Sequence, residues 1–281
     1  MNLSDIKTIE SILRKHGFSF KKSLGQNFLI NPDVCPEMAS LACNKNMGVL
    51  EIGPGIGVLT KELSNTAKRV VAIELDERLK KILPSTLADC DNVEVIFGDA
   101  MKLNLREIIE EKFSDCDGVC VCANLPYYIT SPIIMMLLES KLPIKNITVM
   151  VQKEAAERLC AKVGTRESGA VTVAVDYYSE AKILFDVDRY SFMPPPNVDS
   201  AVIQLEIREK PAVQVVDEAK FFALVKACFA QRRKTLVNTV SNTTNYSKDS
   251  IKLALEKLGL SETVRAEKLT IEELAELSNM L

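Results

Sequence analysis

The chain has 281 residues, 47% hydrophobic and 26% charged, with a formal net charge of -3. That composition suits a globular protein with one large domain and a smaller one, and no apolar stretch reaches the length of a bilayer span. A negative total by itself argues against nucleic acid, but the distribution argues for it. Residues 220–234, KFFALVKACFAQRRK, carry Lys220, Lys226, Arg232, Arg233 and Lys234 with no acid among them, and Arg14 to Lys22 adds Arg14, Lys15, Lys21 and Lys22. Each basic segment also reads as a solvated helix face.

The opening MNLSDIKTIESILRKHG is mixed and charged, with no apolar core and no cleavage site, so no export signal is expected. Eight cysteines are present, and Cys120, Cys122, Cys160 and Cys228 lie inside apolar runs, where a reduced thiol behaves as a small hydrophobe. No C-x-x-C pair occurs and His16 is the single histidine, so no metal site is expected and the protein reads as reduced and cytoplasmic.

In chain order, strand candidates are MGVLEIG (47–53), RVVAIEL (69–75), NVEVIFG (92–98), GVCVCAN (118–124) and NITVMVQ (146–152), alternating with helical stretches such as VLTKELSNTA, DERLKKILPSTLA and SPIIMMLLESK. Continuous Val/Ile runs separated by helices predict a parallel sheet in a doubly wound α/β fold. AKILFDVD (181–188) and SAVIQLEIRE (200–209), separated by MPPPN, predict an antiparallel edge. After Pro211 only helical patterns follow: EAKFFALVKACFAQRRKTLVNTV, DSIKLALEKLG, stopped at Gly259, and TIEELAELSNML, with a capping box from Thr270 and Glu273. A boundary near residue 210 is therefore expected, with a catalytic α/β domain over 1–210 and a small helical domain over 211–281.

EIGPGIGVLT (51–60) follows a strand and opens a helix. Gly53, Gly55 and Gly57 let the backbone turn tightly and approach a ligand closely. The dinucleotide fingerprint G-x-G-x-x-G would need glycine at position 58, where Val58 stands, and no G-x-x-x-x-G-K is present to make a P-loop. Glu74 closes the next strand about 20 residues on, where a carboxylate grips ribose hydroxyls. A ribose is common to nicotinamide cofactors and S-adenosylmethionine (SAM); the G-x-G-x-G spacing leans toward SAM. Asp99, after the third strand, is a candidate acceptor for the adenine amine of that cofactor, although alone it would read as a helix cap.

The fourth strand ends in NLPYYIT (124–130), which resembles the [DNS]-P-P-[YFW] class of motif in amino-methyltransferases. An exocyclic amine on adenine shares its lone pair with the ring and is a poor nucleophile. Acceptors on its two protons, here the Asn124 side-chain oxygen and the Leu125 carbonyl, favour a more pyramidal nitrogen. Pro126 fixes the direction of that carbonyl, and Tyr127 offers a stacking face worth about 1–3 kcal/mol in comparable sites. The alternative is a proline-ended strand with Tyr127 packed as core.

Together these motifs resemble the ribosomal RNA adenine N6-dimethyltransferase family, in its bacterial small-subunit branch. SLGQNFLI (23–30), EIGPGIGVLT, AIELD (72–76), GDA (98–100), NLPYYIT, VQKEAAERL (151–159), FMPPPNVDSAV (192–202) and FAQRRKTL (229–236) match in order over nearly the whole chain. The resemblance implies a class I SAM-dependent methyltransferase, Rossmann-like, followed by a small helical rRNA-binding domain. It implies that Asn27, Leu29, Gly53, Glu74, Asp99 and Asn124 contact SAM. It also implies that Asn124 and Tyr127 form the target-base pocket, beside the Leu125 carbonyl and Pro126 already described, and that Phe192 closes over the adenine's other face. Without the family, SLGQNFLI reads as a polar loop and Phe192 as core. Lys21, Lys22, Arg232, Arg233 and Lys234 would track phosphate. The implied substrate is a pair of adjacent adenosines near the 3′ end of small-subunit (16S) rRNA, dimethylated in a pre-30S intermediate late in ribosome assembly. The protein would act as a monomer, with no membrane partner.

Departures from the pattern are Tyr128, Val163 and Ser168. Three rival readings remain. The large-subunit branch tends to lack this LGQNFL and FAQRRKTL combination. A checkpoint protein would act by occupancy of the immature subunit. A nicotinamide oxidoreductase is opposed by Val58.

Overall fold

The computed structural model describes residues 1–17 and 28–281. In chain order the elements of the first half are α1 (Ile6–Lys15), β1 (Phe28–Leu29), α2 (Val34–Ala42), β2 (Gly48–Ile52), α3 (Val58–Thr66), β3 (Arg69–Glu74), α4 (Leu83–Thr86), β4 (Val93–Phe97), α5 (Leu105–Lys112), β5 (Val119–Asn124) and α6 (Thr130–Glu139). There follow β6 (Asn146–Gln152), α7 (Lys153–Leu159), α8 (Ala170–Tyr178), β7 (Ser179–Val187), β8 (Phe192–Met193), β9 (Ser200–Ile207), α9 (Glu218–Cys228), α10 (Leu236–Thr243), α11 (Lys248–Lys257) and α12 (Ile271–Met280).

Seven strands form one sheet in the order β4-β3-β2-β5-β6-β9-β7, and β1 pairs with β8 in a separate ribbon. β4, β3, β2, β5 and β6 run parallel, while β9 returns antiparallel to β6. The expected doubly wound sheet with an antiparallel edge is present. β2 is buried along its whole length, and β5, buried on both faces, carries the small residues Cys120, Cys122 and Ala123. Winding proceeds outward from β2 toward β3 on one side and resumes at β5 on the other. The strand tips on either side of that reversal leave a crevice at the carboxyl edge of the sheet.

Two predicted helices are broken. DERLKKILPSTLA becomes a 3-10 turn, Glu77–Lys81, followed by α4. Pro84 lacks an N–H and stands in the first turn of the new helix, where that loss costs nothing. The segment after Glu218 ends as a helix at Cys228, and α10 begins only after Thr235, whose side chain caps it from extended backbone. The expected capping box at Thr270 and Glu273 forms, with Thr270 N donating to Glu273 Oε2 at 2.8 Å and Glu273 N donating to Thr270 Oγ1 at 3.2 Å.

Two compact units result. The first comprises 1–156 and 182–207, the second 157–181 and 208–281. A single cut near 210 therefore leaves out part of the second unit, because residues 157–181 group with the C-terminal helices. The physical reason is aromatic. Tyr177 and Tyr178 of α8 pack on Phe221 and Phe222 of α9 with ring centroids 5.1–5.5 Å apart. The Tyr178 hydroxyl also donates to Glu218 Oε1 at 2.7 Å. No helix among the described residues is long and apolar enough to cross a membrane.

Candidate active site

The glycine turn begins where β2 stops. Gly53, Gly55 and Gly57 have φ of 74°, 59° and 93°, a region that side chains other than glycine's rarely adopt. At Gly53 an added Cβ would meet no atom of the described residues within 4 Å, so among them the turn keeps an open side for a ligand. At Gly57 it would come within 2.8 Å of Leu87 Cδ2, so that glycine is there for packing against the rest of the fold. One three-glycine motif thus divides its work between approach and packing.

Glu74, at the tip of β3, is buried and holds this turn in place. Its Oε2 accepts from Gly55 N at 3.1 Å and its Oε1 from Asp76 N at 2.7 Å. Burial raises its pKa, and those two backbone N–H groups oppose the rise. Each oxygen retains a lone pair for a ribose hydroxyl. Asp99 caps a turn and not the helix its alternative reading expected, since α5 starts at Leu105 with Asn104 as its cap: Asp99 Oδ1 accepts from Met101 N at 3.0 Å, and Lys102 lies 3.6 Å from Oδ2. The residue also borders the cavity.

At the tip of β5, Asn124 is half-buried, and its side-chain amide takes no hydrogen bond from the described residues. Pairing of Glu51 with Cys122 between β2 and β5 brings Gly53 and Asn124 to adjacent strand ends, two residues further on. The following turn is closed by Ile129 N donating to Pro126 O at 3.1 Å, and Thr130 Oγ1 donates to the same carbonyl at 3.2 Å. Pro126's carbonyl is therefore occupied. Tyr127 is half-buried and its hydroxyl lies 2.8 Å from Ser200 Oγ.

The β1–β8 ribbon adds the remaining wall. Leu29 pairs in register with Phe192, and Ile30 N donates to Ser191 O at 2.8 Å. This pairing joins the end of SLGQNFLI to the head of FMPPPN, two motifs that the sequence treats separately. Leu29, Gly53, Glu74, Asp99, Asn124 and Leu125 border a single cavity, together with Pro126, Tyr127 and Phe192. Asn27, Lys21 and Lys22 lie outside the described residues. Arg232, Arg233 and Lys234 belong to the second unit, in the exposed turn between α9 and α10. Arg232 already has a task there: its Nη2 donates to Arg166 O at 2.6 Å and to Ser168 O at 3.3 Å.

Sequence reasoning missed some residues of this cavity. Leu75 and Met101 are 53% and 40% exposed, large apolar side chains left at the rim directly after two strand-end acids. Their signal was position, one and two residues past Glu74 and Asp99. Glu51 was passed over inside a strand that otherwise reads as wholly apolar, and its charge there was the clue. It is 1% exposed, it borders the cavity, and its Oε2 has no hydrogen-bond partner among the described residues.

Burial pushes the Glu51 carboxyl from its ordinary 4.5 up to about 8, with the nearby Thr60 hydroxyl opposing the rise and the Glu74 carboxylate adding to it. Between those two values the folded protein keeps a proton that the unfolded chain has released. The contribution of Glu51 to stability is therefore fullest below 4.5 and declines as pH rises toward 8, by about 1.4 kcal/mol per unit at most. Glu51→Gln cannot ionise. Its melting temperature should converge with the parent's near pH 5 and exceed it at pH 8–9; equal curves at both ends would show that Glu51 is not held neutral.

A purine nucleoside with a cationic tail fits these residues: an open glycine turn, a strand-end carboxylate with spare lone pairs, apolar rim side chains and an unpaired buried carboxyl oxygen. Among the described residues no cluster of His, Cys, Asp and Glu could hold a metal ion.

Comparison with known proteins agrees with this geometry. Residues 17–281 match the family described as Ribosomal RNA adenine dimethylase. Over 280 residues the chain is 51% identical to the Ribosomal RNA small subunit methyltransferase A of Bacillus licheniformis, covering 98% of this chain and 96% of that one. It is 49% identical to the protein of that name from Anoxybacillus flavithermus, covering 97% and 94%. Among solved structures it is similar to a dimethyladenosine transferase from Plasmodium falciparum, with a TM-score of 0.72, 29% identity and coverage of 89% and 95%. It is also similar to the 23S rRNA methyltransferase ErmE, with a TM-score of 0.68, 26% identity and coverage of 91% and 99%. With a class I methyltransferase fold, the motifs in order and a match over nearly its entire length, the chain belongs to the ribosomal RNA adenine dimethylase family.

Proposed function

We propose that this protein is a SAM-dependent dimethyltransferase acting on the N6 amino groups of two adjacent adenosines near the 3′ end of small-subunit rRNA. The observation that carries the reading is the tip of β5. A half-buried amide, Asn124, has no partner among the described residues and borders the same cavity as the glycine turn. An unpaired amide in such a place has a desolvation cost that a ligand can offset.

In this reading Asn124 Oδ1 and the Leu125 carbonyl accept the two protons of the target amine and hold its lone pair toward the methyl donor. Pro126's carbonyl is already taken by Ile129 and Thr130, which leaves Leu125's as the acceptor on that turn. Tyr127 and Phe192 take the two faces of the extruded base. When bound, SAM supplies the methyl group and a positively charged sulfur leaving group. The chain's own contribution is alignment and electrostatics, and no strong base is required of it, since the amine turns acidic once alkylated. Glu74 holds the cofactor's ribose, and Asp99 its adenine amine. A target base in an already unpaired loop costs least to extrude.

We take the partner to be rRNA in a pre-30S assembly intermediate, met in the cytoplasm by a monomer, with the second unit contributing RNA contacts. Arg233 and Lys234 are exposed and suit phosphate; Arg232 acts first on its own loop. Arg233→Ala combined with Lys234→Ala should weaken rRNA binding uniformly and lower the slope of log K against log salt by about 2, roughly one per contact. An unchanged slope would remove these residues from the interface.

The reading as a whole is tested by offering labelled SAM and purified assembly intermediates of the two ribosomal subunits separately. Dimethyladenosine in the small-subunit rRNA is the expected result. Label confined to the large subunit would overturn the assignment.

A further inference from the structure

The Tyr127 hydroxyl lies 2.8 Å from Ser200 Oγ, yet the two residues are 73 positions apart and belong to different motifs. Ser200 opens β9 and pairs with Gln152 of β6, while Asn124 of β5 pairs with Met150 of the same β6. β5 and β9 are thus separated by one intervening strand, a span of about 9.5 Å at ordinary strand spacing. Tyr127 bridges that span across the tip of β6.

Ser200 is itself firmly placed. It is fully buried, and around it Lys153 N donates to Asp199 O at 3.0 Å and Arg189 N donates to Asp199 Oδ1 at 3.1 Å. Between Arg189 and Asp199 the chain also carries Phe192, the other aromatic wall of the cavity. The anchor that receives Tyr127 is therefore built from the same loop that carries its counterpart. At its other end Tyr127 is fixed by the turn that Ile129 N closes on Pro126 O. The hydroxyl lies on the axis of the ring, so this bond fixes where the ring axis points and not rotation about it. Stacking alone would be met by phenylalanine; the phenol is explained by a tether.

We propose that Ser200 is a positioning residue for the methyl-transfer reaction, holding Tyr127 at the correct spacing from Phe192 to receive the extruded adenine. The proposal rests on the function argued above and concerns Ser200's own part in it.

The test is a double-mutant cycle with Ser200→Ala and Tyr127→Phe, which removes either hydroxyl. Four quantities are read for each protein: kcat and KM for methylation of a small-subunit intermediate, SAM affinity by calorimetry, and the fluorescence of 2-aminopurine placed at the target position. Each single variant should lose about 3- to 10-fold in kcat/KM, the loss expected for one hydrogen bond. The double variant should be no worse than either single one, because both substitutions cut the same link. SAM affinity should stay within about twofold of the parent for all three, since the tether touches none of the glycine turn, and 2-aminopurine quenching should fall in parallel with kcat/KM. Ser200→Thr, which restores a hydroxyl, should recover quenching in part.

Losses that multiply independently, or a Ser200→Ala loss that appears wholly in SAM affinity, would overturn the proposal. Should Ser200→Ala fail to fold, Tyr127→Phe decides by itself: full activity and full quenching in that variant would also overturn it. A parent protein inactive on rRNA would instead defeat the function argued above, so the two failures are distinguishable.

Discussion

Asn124→Ala should transfer methyl groups to small-subunit rRNA at least about 100-fold more slowly than the parent, the scale seen when one preorganised polar group is removed from a reacting centre. Its stability should hardly change. Asn124 ends a strand, is half-buried and has no side-chain hydrogen-bond partner among the described residues, so truncation breaks no hydrogen bond with them. Substitutions of that kind stay within about 0.5 kcal/mol. Single-turnover methylation with saturating SAM, together with thermal melting, measures both. A variant that retains most of its rate would move the chemistry away from this strand tip, and a variant that melts much lower would mean that Asn124 is structural.

The second large effect is expected at Glu74. Its carboxylate receives two backbone N–H groups at 3.1 and 2.7 Å, one of them from the glycine turn. Glu74→Ala should weaken SAM binding by about 10- to 100-fold, the range for hydrogen bonds to a charged acceptor. Glu74→Gln should be no better, because an amide turns its NH2 toward one of those N–H donors. Calorimetric titration with SAM and with S-adenosylhomocysteine separates the causes. Equal losses for both ligands would place the contact on the ribose, which they share. A loss confined to SAM would place it on the sulfonium charge and overturn the ribose assignment.

Much of the first unit was legible from the chain alone, because its signals are local. Val/Ile runs gave β2 to β6, and G-x-G-x-G located the turn between β2 and α3. Glu74, Asp99 and Asn124 could be placed on one edge because parallel strands end at one side. The two helix breaks were less visible. Pro84 reads as a mild interruption until its missing N–H is assigned to a new first turn, and Thr235 is one of several polar residues in a basic run. The ribbon joining Leu29 to Phe192 and the tether from Tyr127 to Ser200 were not legible at all. Both link residues far apart in sequence, and nothing in periodicity or local propensity encodes such pairings. Glu51 was hidden differently: a buried acid in an apolar strand contradicts the strand's pattern, and such a contradiction at a strand's carboxyl end is where a functional group should be sought.

Residues 157–181 join the C-terminal helices, while 182–207 belong with the N-terminal unit. During synthesis α8 therefore leaves the ribosome well before its aromatic partners on α9 exist. In the interval Tyr177 and Tyr178 have no Phe221 or Phe222 to cover them, and α8 waits as an incomplete fragment while the sheet acquires its last strands. A chain truncated near residue 210 would freeze the protein at that stage, with a sticky aromatic pair on display, and it should precipitate where the full chain does not.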